Sequence, residues 1–174
     1  DQVKATLEIA NKYQAPVTYR AAGTSLSGQA IGEGILLILG HDGFRKIEIS
    51  ENGEQITLGV AVIGADANAA LKPLNKKIGP DPATLNAAKI GGIVANNASG
   101  MCCGTAQNSY QTIDSVKLIF ADGTELDTGC EQSKAAFNAS HGELVKSLMD
   151  LAEMTQNNPT LAARIKKKFS IKNT

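Results

Sequence analysis

Arg20-Ala21-Ala22-Gly23-Thr24-Ser25-Leu26-Ser27-Gly28-Gln29-Ala30 packs small residues and hydroxyls into eleven positions directly after a β-type segment, Val17-Thr18-Tyr19-Arg20. Glycine tolerates a positive φ and lets a ligand approach the main chain closely. Successive backbone N–H groups in such a turn form a concave anion site. Thr24, Ser25 and Ser27 can add hydroxyl donors. The guest that suits this loop is a phosphate or pyrophosphate. Two common phosphate loops are excluded by the letters themselves. G-x-x-x-x-G-K-S/T needs a lysine where Gln29 follows Gly28, and G-x-G-x-x-G needs a glycine where Ser25 stands.

A second small-residue region lies further along: Gly79-Pro80-Asp81-Pro82-Ala83-Thr84, then Ile90-Gly91-Gly92-Ile93-Val94-Ala95-Asn96-Asn97-Ala98-Ser99-Gly100. Together, in this order, the two regions resemble the FAD-linked oxidase branch of the vanillyl-alcohol-oxidase (PCMH-type) superfamily. That branch holds D-lactate dehydrogenases and the glycolate oxidase flavoprotein. The resemblance runs from about Val17 to Thr128 and more loosely to Thr174. Asn96 to Ser109 is most similar to the long bacterial dehydrogenases that carry a C-terminal iron–sulfur region.

The resemblance implies a two-lobed FAD-binding domain, with a small lobe over 1–53, a larger mixed-sheet lobe over 54–174, and FAD between them. The chain opens in a helix already under way. It is therefore expected to be cut from a longer polypeptide, to lack the first strand of its small lobe, and to be inactive alone. Ala22, Gly23, Thr24, Ser25, Leu26, Ser27 and Gly28 are implied to wrap the pyrophosphate. Gly91 and Gly92 let a helix entrance pass close to the cofactor, with Ile90 and Ile93 behind it. Asn96, Asn97, Ser99 and Gly100 lie toward the ribityl and ring end, while Pro80 and Asp81 stiffen the approach. For Asn97 and Ser99, local capping or turn bonding is an equal alternative. Histidyl-linked relatives often carry His where this chain has Thr24, so the flavin is expected to be non-covalent. Cys103-Gly104 stands where related dehydrogenases have Tyr-Gly or a similar pair.

The implied reaction passes a hydride from C2 of a small D-2-hydroxy acid to flavin N5. Electrons then leave to a quinone or to iron–sulfur centres outside this chain. Glycolate oxidase or D-2-hydroxyglutarate dehydrogenase activity fits these residues equally. The flavin reductase of bacterial wall-precursor synthesis fits less well, and a nucleotide-binding module without turnover is the rival from another class.

Composition sets the remaining bounds. Lys+Arg and Asp+Glu balance at 17 each, so no global field directs the chain to nucleic acid or anionic membrane. No apolar run reaches the ~18–20 residues of a membrane span. Cys102, Cys103 and Cys130 are an odd count with two adjacent members, which argues against a disulfide framework and for a reducing compartment. The expected location is the cytoplasm, with the full-length protein peripheral at the inner membrane face. An iron–sulfur site within the chain is not expected, because a cubane takes four spaced thiolates. His41 and His141 are the two histidines; neither is assigned as catalytic, since His41 sits in a turn and His141 at an expected helix start. The basic segment from Arg164 to Lys172 reads as a solvated face.

The pattern mixes helices and strands without strict βαβ alternation, which is an α+β signature. Helices are expected over 1–14, over 66–78, and from His141 to Met154. Residues 34–39 read as a fully buried strand. Asn52-Gly53 and Asp122-Gly123 mark hairpin turns.

Overall fold

A computed structural model describes residues 1–40 and 43–169. The chain divides into two compact units, one of residues 9–113 and one of residues 1–8 with 114–174. The expected α+β class holds, with helices and short strands interspersed along the chain.

The first helix, α1 (Gln2–Tyr13), gives its opening residues to one unit and the rest to the other. Val3, Leu7 and Ala10 recur at helical spacing and are buried, while Ile9 is exposed. One apolar stripe therefore fixes which face turns inward. Gln14 at φ 51 ends the helix ahead of Pro16.

Within unit 9–113, β1 (Val17–Tyr19) pairs in parallel with β2 (Ile35–Leu37), Val17 opposite Ile35 and Tyr19 opposite Leu37. The small-residue loop is what connects them. Its return is cut close: a Cβ on Gly32 would lie 2.0 Å from Thr18 Oγ1, and one on Gly34 2.6 Å from the Pro16 carbonyl. The strand expected to be fully buried is shorter and half-open, with Leu36 45% and Ile38 54% exposed. Apolar letters alone do not separate a buried strand from an edge strand.

Next, β3 (Ile47–Ile49) and β4 (Ile56–Leu58) form the antiparallel hairpin signalled by Asn52-Gly53. Gly53 takes φ 66 in its turn. The lobe boundary expected at 53/54 falls in this turn, inside a single unit. The helix expected over 66–78 is α2 (Gly64–Leu71), continued as one 3₁₀ turn over Lys72–Leu74. Pro73 cannot donate to the α-helical ladder, and Asn75 at φ 54 closes the segment. Two short helices follow, α3 (Ile90–Ala95) and α4 (Ser109–Thr112).

In the other unit, β5 (Lys117–Ile119) and β6 (Glu125–Asp127) form the hairpin expected from Asp122-Gly123. The long helix α5 (Glu131–Gln156) kinks at His141 (φ −123, ψ 27). It begins ten residues before the expected start at His141. Phe137 is the single buried residue of its first half, so periodicity gave little sign of it. The Phe137 ring stacks on His141 (centroids 4.4 Å apart) and meets Phe120 at 4.6 Å. α6 (Pro159–Lys168), capped by the Asn158 side chain, occupies much of the stretch read as a basic tail.

Candidate functional site

The loop between β1 and β2 turns on two glycines in the left-handed region, Gly23 (φ 70) and Gly28 (φ 77). Between and beside them, residues 24–29 are exposed, and Leu26 at the tip is fully so. Among the described residues, the backbone N–H groups of Ala22, Gly23, Thr24, Ser25 and Leu26 donate to no protein acceptor. The Ser27 N–H makes a long contact to Ser25 Oγ, 3.4 Å, while that hydroxyl donates to Gln29 Oε1. Native backbone donors are almost always paired with protein or water. A run of unpaired donors in a glycine turn is a surface suited to an anion.

The second region lies against this loop within the same unit. Gln29 Nε2 donates to Asn96 Oδ1 at 3.4 Å. A Cβ placed on Gly92 would stand 3.2 Å from the Ala21 Cβ. Gly92 thus permits the close approach of α3 to the loop. Gly91 serves a neighbouring contact: its added Cβ would meet Val60 at 3.0 Å, and its N–H donates to the Val60 carbonyl at 2.9 Å. Ile90 N–H goes to the Val62 carbonyl at 2.8 Å. Ile93 is buried behind them, while Ile90 is half-buried.

Asn97, at φ 43, accepts the Tyr110 N–H on Oδ1 at 3.0 Å. This bond spans thirteen residues and ties Asn97 to the first turn of α4, whose N-cap is Asn108. Ser99 is half-buried and Asn96 exposed. Behind them the buried Ser109 hydroxyl donates toward the carbonyls of Ile93 (2.9 Å) and Ala98 (3.2 Å), tying the end of α3 to α4.

Pro80 is buried, and Asp81 receives the N–H of Cys102 on Oδ2 and that of Cys103 on Oδ1, both at 3.1 Å. Hydrogen bonding from the Cys103 side chain is the leading cause that brings the Asp81 carboxyl down to about 2. The amides of Cys103 and Cys102 act in the same sense, and partial burial opposes them. Burial first, and then Asp81, pushes the Cys103 thiol up. Gly100 is enclosed by this clamp: a Cβ there would lie 2.0 Å from both the Asp81 carbonyl and Oδ1. Asp81 and Gly100 therefore shape the second region from behind, with the Asp81 carboxylate already engaged.

Two side chains with no role assigned from sequence stand at the loop. One is Gln29, which bridges to Asn96. The other is Arg20, whose Nε and Nη2 lie 2.7 Å from the place a Gly23 Cβ would fill. The available sequence signal for Arg20 was its isolation on the loop side, since no other Lys or Arg occurs between it and Arg45.

The histidines stay apart from this arrangement. His41 lies outside the described residues. His141 Nε2 is 3.0 Å from Asp122 Oδ2 and Nδ1 is 2.8 Å from Ser140 Oγ. That Ser140 hydroxyl also reaches the carbonyls of Ala136 and Phe137, as a helix serine does. The trio ties the β5–β6 turn to the α5 kink. Among the described residues, no three His, Cys, Asp or Glu side chains are placed to hold a metal ion. No described helix is long and apolar enough to cross a membrane.

The FAD binding domain family matches this chain over residues 1–129. The chain belongs to the FAD binding domain family. Similar curated proteins include the glycolate oxidase subunit GlcD of Escherichia coli (strain K12), 31% identical over 134 residues, covering 75% of this chain and 26% of that protein. D-2-hydroxyglutarate dehydrogenase of the same organism is 30% identical over 111 residues, covering 64% and 11%. D-lactate dehydrogenase of Archaeoglobus fulgidus is 27% identical over 132 residues, covering 74% and 29%. This FAD binding domain thus spans about a quarter of the GlcD protein it matches.

Solved structures with the same fold include 6-hydroxy-D-nicotine oxidase from Arthrobacter nicotinovorans, with a TM-score of 0.62 at 17% identity over 72% of this chain and 27% of that one. Glucooligosaccharide oxidase from Acremonium strictum gives 0.61 at 17% identity over 76% and 28%. That enzyme carries a 6-S-cysteinyl, 8α-N1-histidyl FAD. The FAD binding domain brings together unpaired amides in the first loop and a second segment set alongside at Gly92 and Asn96.

Proposed function

We propose that this chain is the FAD-holding part of a flavin-dependent dehydrogenase for small D-2-hydroxy acids, D-lactate-like, with glycolate or D-2-hydroxyglutarate as alternative substrates. The observation that carries the reading is the unpaired run of N–H groups from Ala22 to Leu26, in a loop set against α3. The names of the curated relatives, oxidases and dehydrogenases of hydroxy acids, supply the substrate class.

In this reading Ala22–Gly28 hold the pyrophosphate through main-chain donors, and Asn96 and Ser99 face the flavin end. Gly91, Gly92, Asn97 and Gly100 let the chain pass close to it, and Pro80 and Asp81 hold the approach loop in shape. When bound, the flavin supplies a two-electron acceptor at N5 for the C2 hydride. Loss of the C2 hydride and the hydroxyl proton would leave a 2-oxo acid. Cofactor chemistry of this kind leaves binding and orientation to the protein. We propose non-covalent attachment, because Thr24 offers no imidazole for a histidyl bond. The reduced flavin would need a quinone or iron–sulfur acceptor, and the free cysteines suit a cytoplasmic setting. The division into lobes 1–53 and 54–174 around the cofactor belongs to the same proposal.

The test is anaerobic mixing of the full-length protein, loaded with FAD, with D-lactate, glycolate, D-2-hydroxyglutarate or a pyridine nucleotide. Bleaching of the flavin by one of the hydroxy acids supports the reading. Bleaching by the pyridine nucleotide alone points to a reductase. Bound flavin that none of them reduces marks a module that binds without turnover.

A further inference from the structure

Arg20 presents an unclaimed guanidinium at the mouth of the small-residue loop. Its backbone is fixed, since the N–H donates to the Leu37 carbonyl at 3.0 Å and continues the β1–β2 pairing by one residue. Its side chain curls forward over Gly23, with Nε and Nη2 2.7 Å and Cζ 2.9 Å from the missing Cβ position. The residue is exposed, and among the described residues its guanidinium makes no ion pair or hydrogen bond. The other cations near the two regions are otherwise engaged. Arg45 pairs with Asp66 at 2.5 Å, and Lys89 Nζ donates to the Leu39 carbonyl at 3.2 Å.

We propose that Arg20 supplies the fixed positive charge for the pyrophosphate, its guanidinium lying beside the same glycine turn whose amides are unpaired. This rests on the proposed FAD reading and adds a named side chain to it. Main-chain amides contribute only partial charge to a diphosphate that carries about two negative charges. A guanidinium offers a planar fork matched to phosphate oxygens and stays ionised. The approach over Gly23 sets that fork beside the unpaired N–H groups of Ala22 to Leu26, so amides and guanidinium can hold one anion together. Gly23 is needed twice over: its φ of 70 makes the turn, and its missing Cβ leaves room for the Arg20 side chain.

The experiment measures FAD affinity of the full-length protein across a range of KCl concentrations, for wild type, Arg20→Gln and Arg20→Lys, with riboflavin as a phosphate-free probe. Arg20→Gln is expected to weaken FAD binding tenfold or more and to flatten its salt dependence, because screening then has one charge fewer to act on. Riboflavin affinity is expected to be the same in all three proteins. Arg20→Lys is expected to restore the salt dependence with part of the affinity. Arg20→Gln binding FAD within twofold of wild type overturns the assignment while leaving the FAD reading intact. Arg20→Lys behaving like Arg20→Gln also overturns it, since packing rather than charge is then at work. A folded wild-type protein that takes up no FAD overturns the underlying reading, and this assignment with it.

Discussion

Gln29 Nε2 reaches Asn96 Oδ1 across sixty-seven residues of sequence, at 3.4 Å. This exposed contact joins the two small-residue regions, and at that length it is a weak hydrogen bond. Gln29→Ala is expected to change unfolding free energy by less than about 0.5 kcal/mol, as surface substitutions usually do. Amide hydrogen exchange over residues 22–28 should nevertheless quicken, because the loop loses a tether to α3. A stability loss above about 1 kcal/mol in urea titration, with unchanged exchange in the loop, would contradict this.

Asp81→Asn removes the charge that holds the Cys102 and Cys103 amides. The expected cost at neutral pH is about 1–2 kcal/mol, near the low end for hydrogen bonds to a charged group because the carboxylate is only half-buried. The Asp81 carboxyl is lowered from 3.8 to about 2 in the folded chain. A depressed carboxyl stabilises the fold above its unfolded pKa, and that stabilisation fades as pH falls through the interval between the two values. The gap between wild type and variant should therefore be constant above pH ~5 and shrink between pH ~4 and ~2. Paired denaturant titrations across that window decide it.

Gly100→Ala should be among the costliest substitutions in the second region. The new methyl would stand 2.0 Å from backbone as well as side-chain atoms of Asp81. Overpacking of this kind typically costs ~1–3 kcal/mol. Comparison with Gly123→Ala separates sterics from backbone conformation, because a Cβ at Gly123 meets nothing within 4 Å although its φ is 86. Equal losses for the two variants would show that crowding at Asp81 is not the cause.

Thiol reactivity should divide the adjacent cysteines. Cys102 is exposed, whereas Cys103 is buried and its thiol is raised by burial and by Asp81. Iodoacetamide at mildly alkaline pH should label Cys102 at least tenfold faster than Cys103, since only the accessible thiolate reacts. Peptide mapping by mass spectrometry reads the ratio directly. Unfolding in urea should abolish the difference.

Flavin carried by the full-length protein should be released by acid or heat and appear in the supernatant. The expectation follows from Thr24, a side chain without the imidazole a histidyl link requires. Flavin fluorescence migrating with denatured polypeptide on a gel would refute it.

The legible parts of the fold were those set by local chemistry. Asn52-Gly53 and Asp122-Gly123 announced hairpins because a tight turn demands positive φ there, and both glycines adopt it. Val3, Leu7 and Ala10 announced α1 through one buried stripe. The first half of α5 was hidden because Phe137 is its lone buried residue. The exposure of Leu36 and Ile38 was hidden because it depends on what lies beside β2 rather than on the letters of β2. At the site, glycine spacing pointed to both loops. It could not tell that Asp81 is bound to the Cys102 and Cys103 amides, or that Arg20 folds forward over Gly23. Those are contacts between side chain and backbone, which no periodicity encodes.

The two halves of the candidate site differ in how freely their sequences can drift. Thr24 to Gln29 project outward, and a Cβ at Gly28 would meet no protein atom within 4 Å. Gly79 and Gly100 instead abut Thr112 and Asp81 so closely that a single methyl would collide, and one at Gly91 would press on Val60 at 3.0 Å. A random library selected only for soluble, folded protein should therefore accumulate changes freely at 24–27 and almost none at 79, 91 and 100. The same library selected for cofactor retention should lose its variants at 24–27 as well, and the difference between the two profiles would outline the ligand's footprint residue by residue.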